Sequence, residues 1–265
     1  MSHFSVGVII SNKDIRERME NEIELFVPAV KELVSEAMQP FDENMPGLPE
    51  LTLTIPELQE KYNEIVNYEG DDSWRIECKN RYMNKTLQEF CEGFHGLLFK
   101  EDGAYSTYNA NSKWDWYVIG GRWDGCLPVK DEESCDNGDK YQYRDNVIDN
   151  CCKIKDLKLK KDLSYEEIQA LKQQYEELTT NGDFYKPEYY KRKFPTFEIY
   201  LAYESHFCTY ALLKSNGQWI EPGDMGWFGC TSATPEEELE FLNTFTQNLN
   251  EENPDDYFVL IDCHI

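Results

Sequence analysis

The two ends of the chain constrain its fold most strongly, because both read as buried β-strands. The segment HFSVGVII at His3–Ile10 is short, apolar and rich in β-branched residues, and DYFVLIDCHI at Asp256–Ile265 has the same character. Runs of this length and composition are typical of strands inside a sheet. We therefore predict that the two terminal strands are neighbours in one sheet.

Helical periodicity fills much of the chain between these strands. The predicted helices cover Asp14 to Met38 with a kink or break at Pro28, Leu53 to Tyr68, Thr86 to Phe94, Ser164 to Gly182, and a last segment that begins after Thr234. Aromatic, glycine-punctuated stretches at Gly96–Pro128 and Phe197–Glu221 instead predict strands and tight turns. The sequence thus predicts an α+β fold, with helices packed on a mixed or mainly antiparallel sheet.

The domain organisation follows from length and local composition. A chain of 265 residues with 40% hydrophobic residues can build one substantial core, so we predict a single domain over residues 1–265. Residues 131–161 are rich in Asp, Asn, Lys and Cys and contain few core candidates. We predict that this segment is a variable insertion or a mobile loop within the domain.

Charge excludes one class of function. The chain has 26 lysines and arginines against 51 aspartates and glutamates, which gives a net charge of −25. This charge repels a phosphate backbone, so extended nucleic-acid binding is not expected. No stretch approaches the ~20 apolar residues of a membrane helix, and the first residues do not resemble an export signal. We expect a cytoplasmic protein that does not bind a membrane.

Cysteine and histidine content argues against a metal or disulfide framework. Nine cysteines are an odd number, no Cys-x2-Cys pair occurs, and there are four histidines. In a chain without an export signal, these cysteines are expected to be reduced thiols. The sequence predicts neither a bound metal nor an organic cofactor.

The densest candidate for a binding site is KWDWYVIGGRWDG at Lys113–Gly125. Tryptophan faces stack on planar rings, a guanidinium grips phosphate or carboxylate, and paired glycines let the backbone approach a ligand closely. The predicted ligand-binding residues are Trp114, Asp115, Trp116, Tyr117, Arg122 and Trp123. In the alternative interpretation, the tryptophans fill the core and Arg122 pairs with Asp115 or Asp124.

A second loop, EPGDMGWFGC at Glu221–Cys230, has three glycines and an aromatic tip. We predict that Asp224 and Trp227 belong to the same ligand site, with the loop closing over it. The loop can equally be a wide turn that is packed by its own aromatic side chains.

Catalytic candidates lie on the terminal strands. Period-two alternation places Asp262 and His264 on one face of the last strand, and pairing of the termini would bring His3 beside them. Such a group suits acid–base chemistry or metal ligation. We further predict that Arg122 shares a cleft with Asp262 or His264. The alternative is that these groups meet near the surface by chance.

Several segments together resemble an uncharacterised family of small proteins encoded by bacteriophages and prophage-bearing bacteria. These segments are MSHF-x-V-x-V-I at the start, PFDEN at Pro40–Asn44, KWDWY-x-IGGRW, GDMGWFG and the closing IDCHI. The resemblance covers the termini and the two tryptophan–glycine loops, and it leaves 45–84 and 131–193 aside. It implies a phage or mobile-element context without a known reaction, and it suggests that the matching segments form one site or core.

Two functions from different classes are compatible with these features. The first is a non-enzymatic, acidic binding protein in the cytoplasm of a bacterial host, acting as an antagonist of host defence. Its partner would be a nucleotide-like small molecule or a basic host protein. The second is a phosphodiester hydrolase or nuclease-like enzyme that uses His3, His264 and Asp262 for acid–base chemistry, with Arg122 on the phosphate.

Overall fold

The computed structural model describes residues 2–19, 25–130, 145–226 and 229–265. These residues group into two compact units, whereas the sequence was interpreted as one domain. The larger unit comprises Met1–Pro40 and Lys113–Ile265, and the smaller unit is Phe41–Ser112. The terminal strands and both tryptophan–glycine loops belong to the larger unit.

The described residues form strands of three to eight residues, apart from one two-residue strand. The strands are β1 (His3–Ile10), β2 (Glu50–Thr54), β3 (Leu98–Lys100), β4 (Gly103–Ser106), β5 (Trp116–Ile119), β6 (Cys151–Lys153), β7 (Ala211–Leu213), β8 (Trp219–Ile220) and β9 (Tyr257–His264). The helices are α1 (Asn12–Met19), α2 (Phe26–Met38), α3 (Ile55–Val66), α4 (Ser73–Tyr82), α5 (Leu87–Phe90), α6 (Tyr165–Asn181), α7 (Pro187–Lys193), α8 (Phe197–Ser205) and α9 (Pro235–Asn250).

The sheet of the larger unit has the terminal strands at its centre. Its order is β5-β9-β1-β7-β8, and β6 also pairs with β9. β1 and β9 run antiparallel, from His3 opposite His264 to Ile10 opposite Tyr257. β1 and β7 are parallel, so the sheet is mixed. The predicted α+β fold with adjacent terminal strands is confirmed.

Each face of this sheet is covered in a different way. On one face, Val6 and Val8 of β1 are fully buried, and β1 is contacted by α2, in which Val30 and Val34 are fully buried. On the other face, one hydrophobic cluster joins the sheet to α9; it includes Ile9, Phe258, Leu260, Phe241, Phe245 and Leu249. Beyond this cluster, the same face continues into the polar residues His3, Asp262 and His264.

The smaller unit is built on a three-stranded antiparallel sheet in the order β2-β4-β3. Its core contains Leu58, Tyr82, Phe90, Cys91 and Ala104, contributed mainly by the helices that follow β2. β2 and α4 were not anticipated from the sequence. None of the candidate site residues lies in this unit.

The helix starts that carried capping signals form where the sequence predicts them. Ser164 caps α6 by accepting from the backbone N–H of Glu167 at 3.2 Å, and Thr234 caps α9 by accepting from that of Glu237 at 3.2 Å. Such caps satisfy amide groups that the first helical turn leaves unpaired. The predicted helix over 14–38 is instead two helices, α1 and α2, with Pro28 in the first turn of α2.

Two predictions of local structure differ from the structure. The segment FEIYLAYES was predicted as a strand, but it forms helix α8, which Thr196 caps through the backbone N–H of Ile199. In the predicted insertion, residues 131–144 lie outside the described part of the chain. Residues 145–161 include strand β6, which pairs with β9, and Leu157, which is buried in the core.

Candidate functional site

The strand register brings three aromatic rings together at one end of the sheet. His264 lies opposite His3 on β1 and opposite Trp116 on β5. The two imidazole rings are 5.0 Å apart between centroids, and Trp116 stacks on His264 at 4.9 Å with 15° between the planes. The predicted convergence of His3, Asp262 and His264 is therefore present, with Trp116 added to it.

Asp262 is the buried carboxylate of the group. It is fully buried, and its Oδ1 is 2.9 Å from Nδ1 of His3. Its Oδ2 accepts a hydrogen bond from the backbone N–H of Arg122 at 3.0 Å. Since an ionised carboxylate only accepts hydrogen bonds, this contact places the proton of neutral His3 on Nδ1.

A second histidine–carboxylate pair lies beside the first. Nδ1 of His264 is 2.6 Å from Oδ1 of Asp115, which also accepts from the backbone N–H of Trp116 at 2.8 Å. The side chain of His264 is 5% exposed and that of Asp115 is 28% exposed. Among the residues that the structure describes, Nε2 of His264 has no hydrogen-bond partner. We name the four residues His3, Asp262, His264 and Asp115 the histidine–aspartate cluster.

The paired glycines allow the backbone to approach this cluster. Gly120 and Gly121 have φ values of +78° and +56°, a region that L residues with a side chain rarely adopt. A Cβ atom on Gly121 would lie 2.5 Å from Oδ2 of Asp262. The sequence predicted that the backbone at these glycines approaches a ligand closely. In the structure, the backbone at Gly121 approaches the carboxylate of Asp262.

The other aromatic candidates of this segment are packed inside. Trp114 is buried and donates from Nε1 to the carbonyl oxygen of Met38 at 3.2 Å. Tyr117 makes an edge contact with Trp114, and burial raises the pKa of its phenol. Trp123 packs against the core cluster under α9. These three side chains fit the alternative interpretation, in which the aromatics fill the core, whereas Trp116 is 39% exposed.

Arg122 contributes its backbone to the cluster, while its side chain is exposed. Within the described ranges, its guanidinium forms no ion pair with Asp115, Asp124, Asp262 or another carboxylate. Asp124 instead accepts a hydrogen bond from Asn150 at 2.6 Å. Arg122 thus lies next to Asp262, but the buried arginine–carboxylate pair considered from the sequence is absent.

Residues 223–226 and 229–231 lie at the same end of the sheet. Ser2 Oγ donates to the carbonyl oxygen of Gly226 and accepts from the N–H of Gly229, both at 2.7 Å. Ser2 directly precedes His3, so these bonds hold the loop beside the start of β1. Sequence reasoning missed this role of Ser2, because a serine near a terminus carries no distinctive signal.

Asp224 lies at the surface of this loop. Its carboxylate is 2.7 Å from Nζ of Lys113, which also pairs with Glu221 at 2.6 Å. The Lys113 ammonium group lowers the pKa of Asp224. The ion pair between Asp224 and Lys113 thus links this loop to the residue that precedes Trp114. Trp227 lies outside the described residues.

The chemistry that this arrangement can perform is proton transfer. In each pair the carboxylate orients the imidazole through Nδ1, which directs Nε2 to serve as acid or base.

In the described part of the chain, no three His, Cys, Asp or Glu residues are grouped to hold a metal ion. None of the described helices has the length and apolar character needed to cross a membrane. No protein-family description, curated protein or solved structure matches the chain.

Proposed function

We propose that the chain is an acid–base enzyme that hydrolyses a phosphodiester in a nucleotide-like substrate. The observation that carries the proposal is the pair of histidine–aspartate contacts, with imidazole centroids 5.0 Å apart, at one end of the central strands. One imidazole takes the proton of the attacking water, and the other protonates the leaving oxygen. The exposed guanidinium of Arg122 supplies positive charge for the phosphate.

The two carboxylates have a positioning role in this proposal. Asp262 and Asp115 each fix a ring through Nδ1–H, so that Nε2 accepts a proton in the neutral imidazole and donates one in the protonated imidazole. Trp116, stacked on His264, holds that ring from the side and presents a partly exposed aromatic surface to a base. A nucleotide-like substrate combines the planar ring and the phosphate that these two side chains select.

The test is turnover of a panel of linear and cyclic nucleotides, followed by chromatography. His264→Asn keeps a donor in the Nδ1 position for Asp115 and removes Nε2, so we expect a loss of roughly 100- to 10,000-fold in rate. His95→Asn is the matched control, since His95 lies in the smaller unit. Thermal unfolding of both variants verifies folding. Unchanged turnover in His264→Asn, or no turnover by the wild type, contradicts the proposal.

A second candidate is favoured by charge. The net charge is −25, and α9 begins with three consecutive glutamates at Glu236–Glu238. Such a surface attracts a basic protein. We propose as the alternative an acidic protein encoded by a phage or mobile element, which antagonises host defence by binding a basic defence protein in the bacterial cytoplasm.

The alternative is separated from the enzyme by salt dependence and by binding without turnover. A pull-down from host lysate should recover a basic protein at low salt and lose it as ionic strength rises. His264→Asn should leave this capture unchanged. If the captured amount does not respond to salt, the charge-based alternative is wrong.

A further inference from the structure

A buried asparagine, Asn150, lies against the turn at residues 120–125, which contacts the histidine–aspartate cluster. Asn150 is fully buried and directly precedes β6. Its backbone carbonyl oxygen accepts a hydrogen bond from the N–H of Leu260 on β9 at 2.8 Å. Leu260 is two residues before Asp262 on the same strand. Asn150 is therefore fixed to the strand that carries the buried carboxylate of the cluster.

The side chain of Asn150 makes three hydrogen bonds, two of them to the 120–125 turn. Its Oδ1 accepts from the backbone N–H of Gly125 at 3.2 Å, and its Nδ2 donates to Oδ1 of Asp124 at 2.6 Å. Nδ2 also donates to the carbonyl oxygen of Asn146 at 2.8 Å. A buried amide whose polar atoms are all bonded has one orientation, and it holds its partners in place. Asn150 thus fixes the end of the turn.

The two glycines of the turn each make room for one buried polar side chain. A Cβ on Gly120 would lie 2.4 Å from Nδ2 of Asn150, and a Cβ on Gly121 would lie 2.5 Å from Oδ2 of Asp262. The next residue, Arg122, donates its backbone N–H to Oδ2 of Asp262 at 3.0 Å. The position of this N–H therefore depends on the turn that Asn150 holds.

We infer that Asn150 is a positioning residue for the histidine–aspartate cluster. It holds the turn so that the N–H of Arg122 stays bonded to Asp262, whose Oδ1 orients His3 through Nδ1 at 2.9 Å. The same turn carries the guanidinium of Arg122, so Asn150 also determines where this positive charge meets the phosphate. This second effect rests on the proposed hydrolase activity, whereas the first concerns the folded chain alone.

Asn150→Leu tests the first effect without requiring turnover. It replaces the amide by an apolar side chain of similar size and removes both bonds to the turn. We expect the backbone amide of Arg122 to exchange with deuterium roughly 2- to 10-fold faster, the range that one net hydrogen bond produces. NMR measures this exchange residue by residue.

Asn109→Leu is the matched control. Asn109 is also a buried asparagine, and its side chain bonds to a backbone N–H and to a carbonyl oxygen, both at 3.0 Å. It lies in the smaller unit, so its replacement should leave the exchange at Arg122 unchanged.

A second pair of variants tests the same hydrogen bond from the partly exposed side of the turn. Asp124→Ala removes the acceptor of the Asn150 amide and should also accelerate exchange at Arg122. Asp124→Asn keeps an oxygen that can accept this bond, so it should preserve the exchange rate of the wild type. A role in stability alone would not single out the Arg122 amide in this way.

Turnover of the nucleotide panel tests the consequence for the reaction. Asn150→Leu should lower the rate roughly 10- to 100-fold, because a small displacement of catalytic groups has an effect of this size. If the wild type shows no turnover, the hydrolase proposal fails, and exchange at Arg122 still decides the role of Asn150. Unchanged exchange in Asn150→Leu and Asp124→Ala, or equal acceleration in Asn109→Leu, overturns the inference. Full turnover by a variant with faster exchange overturns it as well.

Discussion

Replacement of Gly121 by alanine tests whether the glycine pair exists to support the histidine–aspartate cluster. Gly121 has a φ of +56°, and its backbone lies against Asp262. An added Cβ would meet Cβ and Oδ2 of Asp262 at 2.5 Å and Cγ1 of Val118 at 2.8 Å. Since these neighbours are buried or part-buried, the loop or the strand must shift to make room.

The expected cost has two parts. A residue with a Cβ in the left-handed region costs ~1–2 kcal/mol relative to glycine. Crowding a packed site by one carbon costs a further ~1–3 kcal/mol. The sum predicts that Gly121→Ala lowers the free energy of unfolding by about 2–5 kcal/mol.

Gly125→Ala is the matched control for the backbone part. Gly125 has a φ of +68°, but a Cβ there would meet nothing within 4 Å. It should therefore lose only ~1–2 kcal/mol. Urea unfolding followed by tryptophan fluorescence measures both variants. Equal losses in the two variants would refute the claim that Gly121 is needed for the approach to Asp262.

Three further predictions concern buried groups. Asp262→Asn should lower the free energy of unfolding by ~1–3 kcal/mol, measured in urea, because one of two buried hydrogen bonds loses its acceptor. The free energy of unfolding should fall as the pH rises from about 9 towards 12. Burial raises the pKa of Cys152 and Cys208 to about 12, whereas the thiols of the unfolded chain ionise near 9. A urea midpoint that stays constant over this pH range would contradict this prediction. Among the eight cysteines that the structure describes, mass spectrometry after labelling with Ellman's reagent should find the exposed Cys230 modified first and the buried Cys263 last, because burial raises the pKa of Cys263.

The parts of the fold that sequence reasoning predicted have local causes. The capping residues Ser164 and Thr234 act within one helical turn, so their pattern is visible in a window of a few residues. The terminal strands are apolar on both faces over most of their length, which favours burial in a sheet. Both features can therefore be predicted without knowledge of tertiary contacts.

The errors arise where tertiary packing decides between similar local patterns. The segment Phe197–Ser205 has three aromatic residues among nine, which favours a strand, yet it folds as α8 with Tyr200 buried. Strand β6, at Cys151–Lys153, lies in a polar stretch, and its placement beside β9 depends on partners about 100 residues away along the chain. Neither outcome can be derived from a short window.

The sequence predicted that His3, Asp262 and His264 lie together, but it predicted the positions of the tryptophans only in part. Alternation along β9 is a strict geometric rule, so Asp262 and His264 had to share a face. For the tryptophans, alternation along a strand does not say which face of the sheet is covered by other elements. Trp114 precedes β5 and is buried, whereas Trp116 begins the strand and reaches the surface beside His264. Only the positions of the neighbouring elements decide this.

The hydrogen bonds around the two carboxylates bear on how the cluster can work. Asp262 and Asp115 each accept one bond from an imidazole and one from a backbone amide. The amide donor remains in place when the imidazole gains or loses a proton, so each carboxylate keeps a partner in both states. A histidine whose orienting carboxylate is held in this way can exchange a proton through Nε2 without disturbing the strands that carry it. Such independence suits proton transfer better than an ion pair whose role is to hold the fold together.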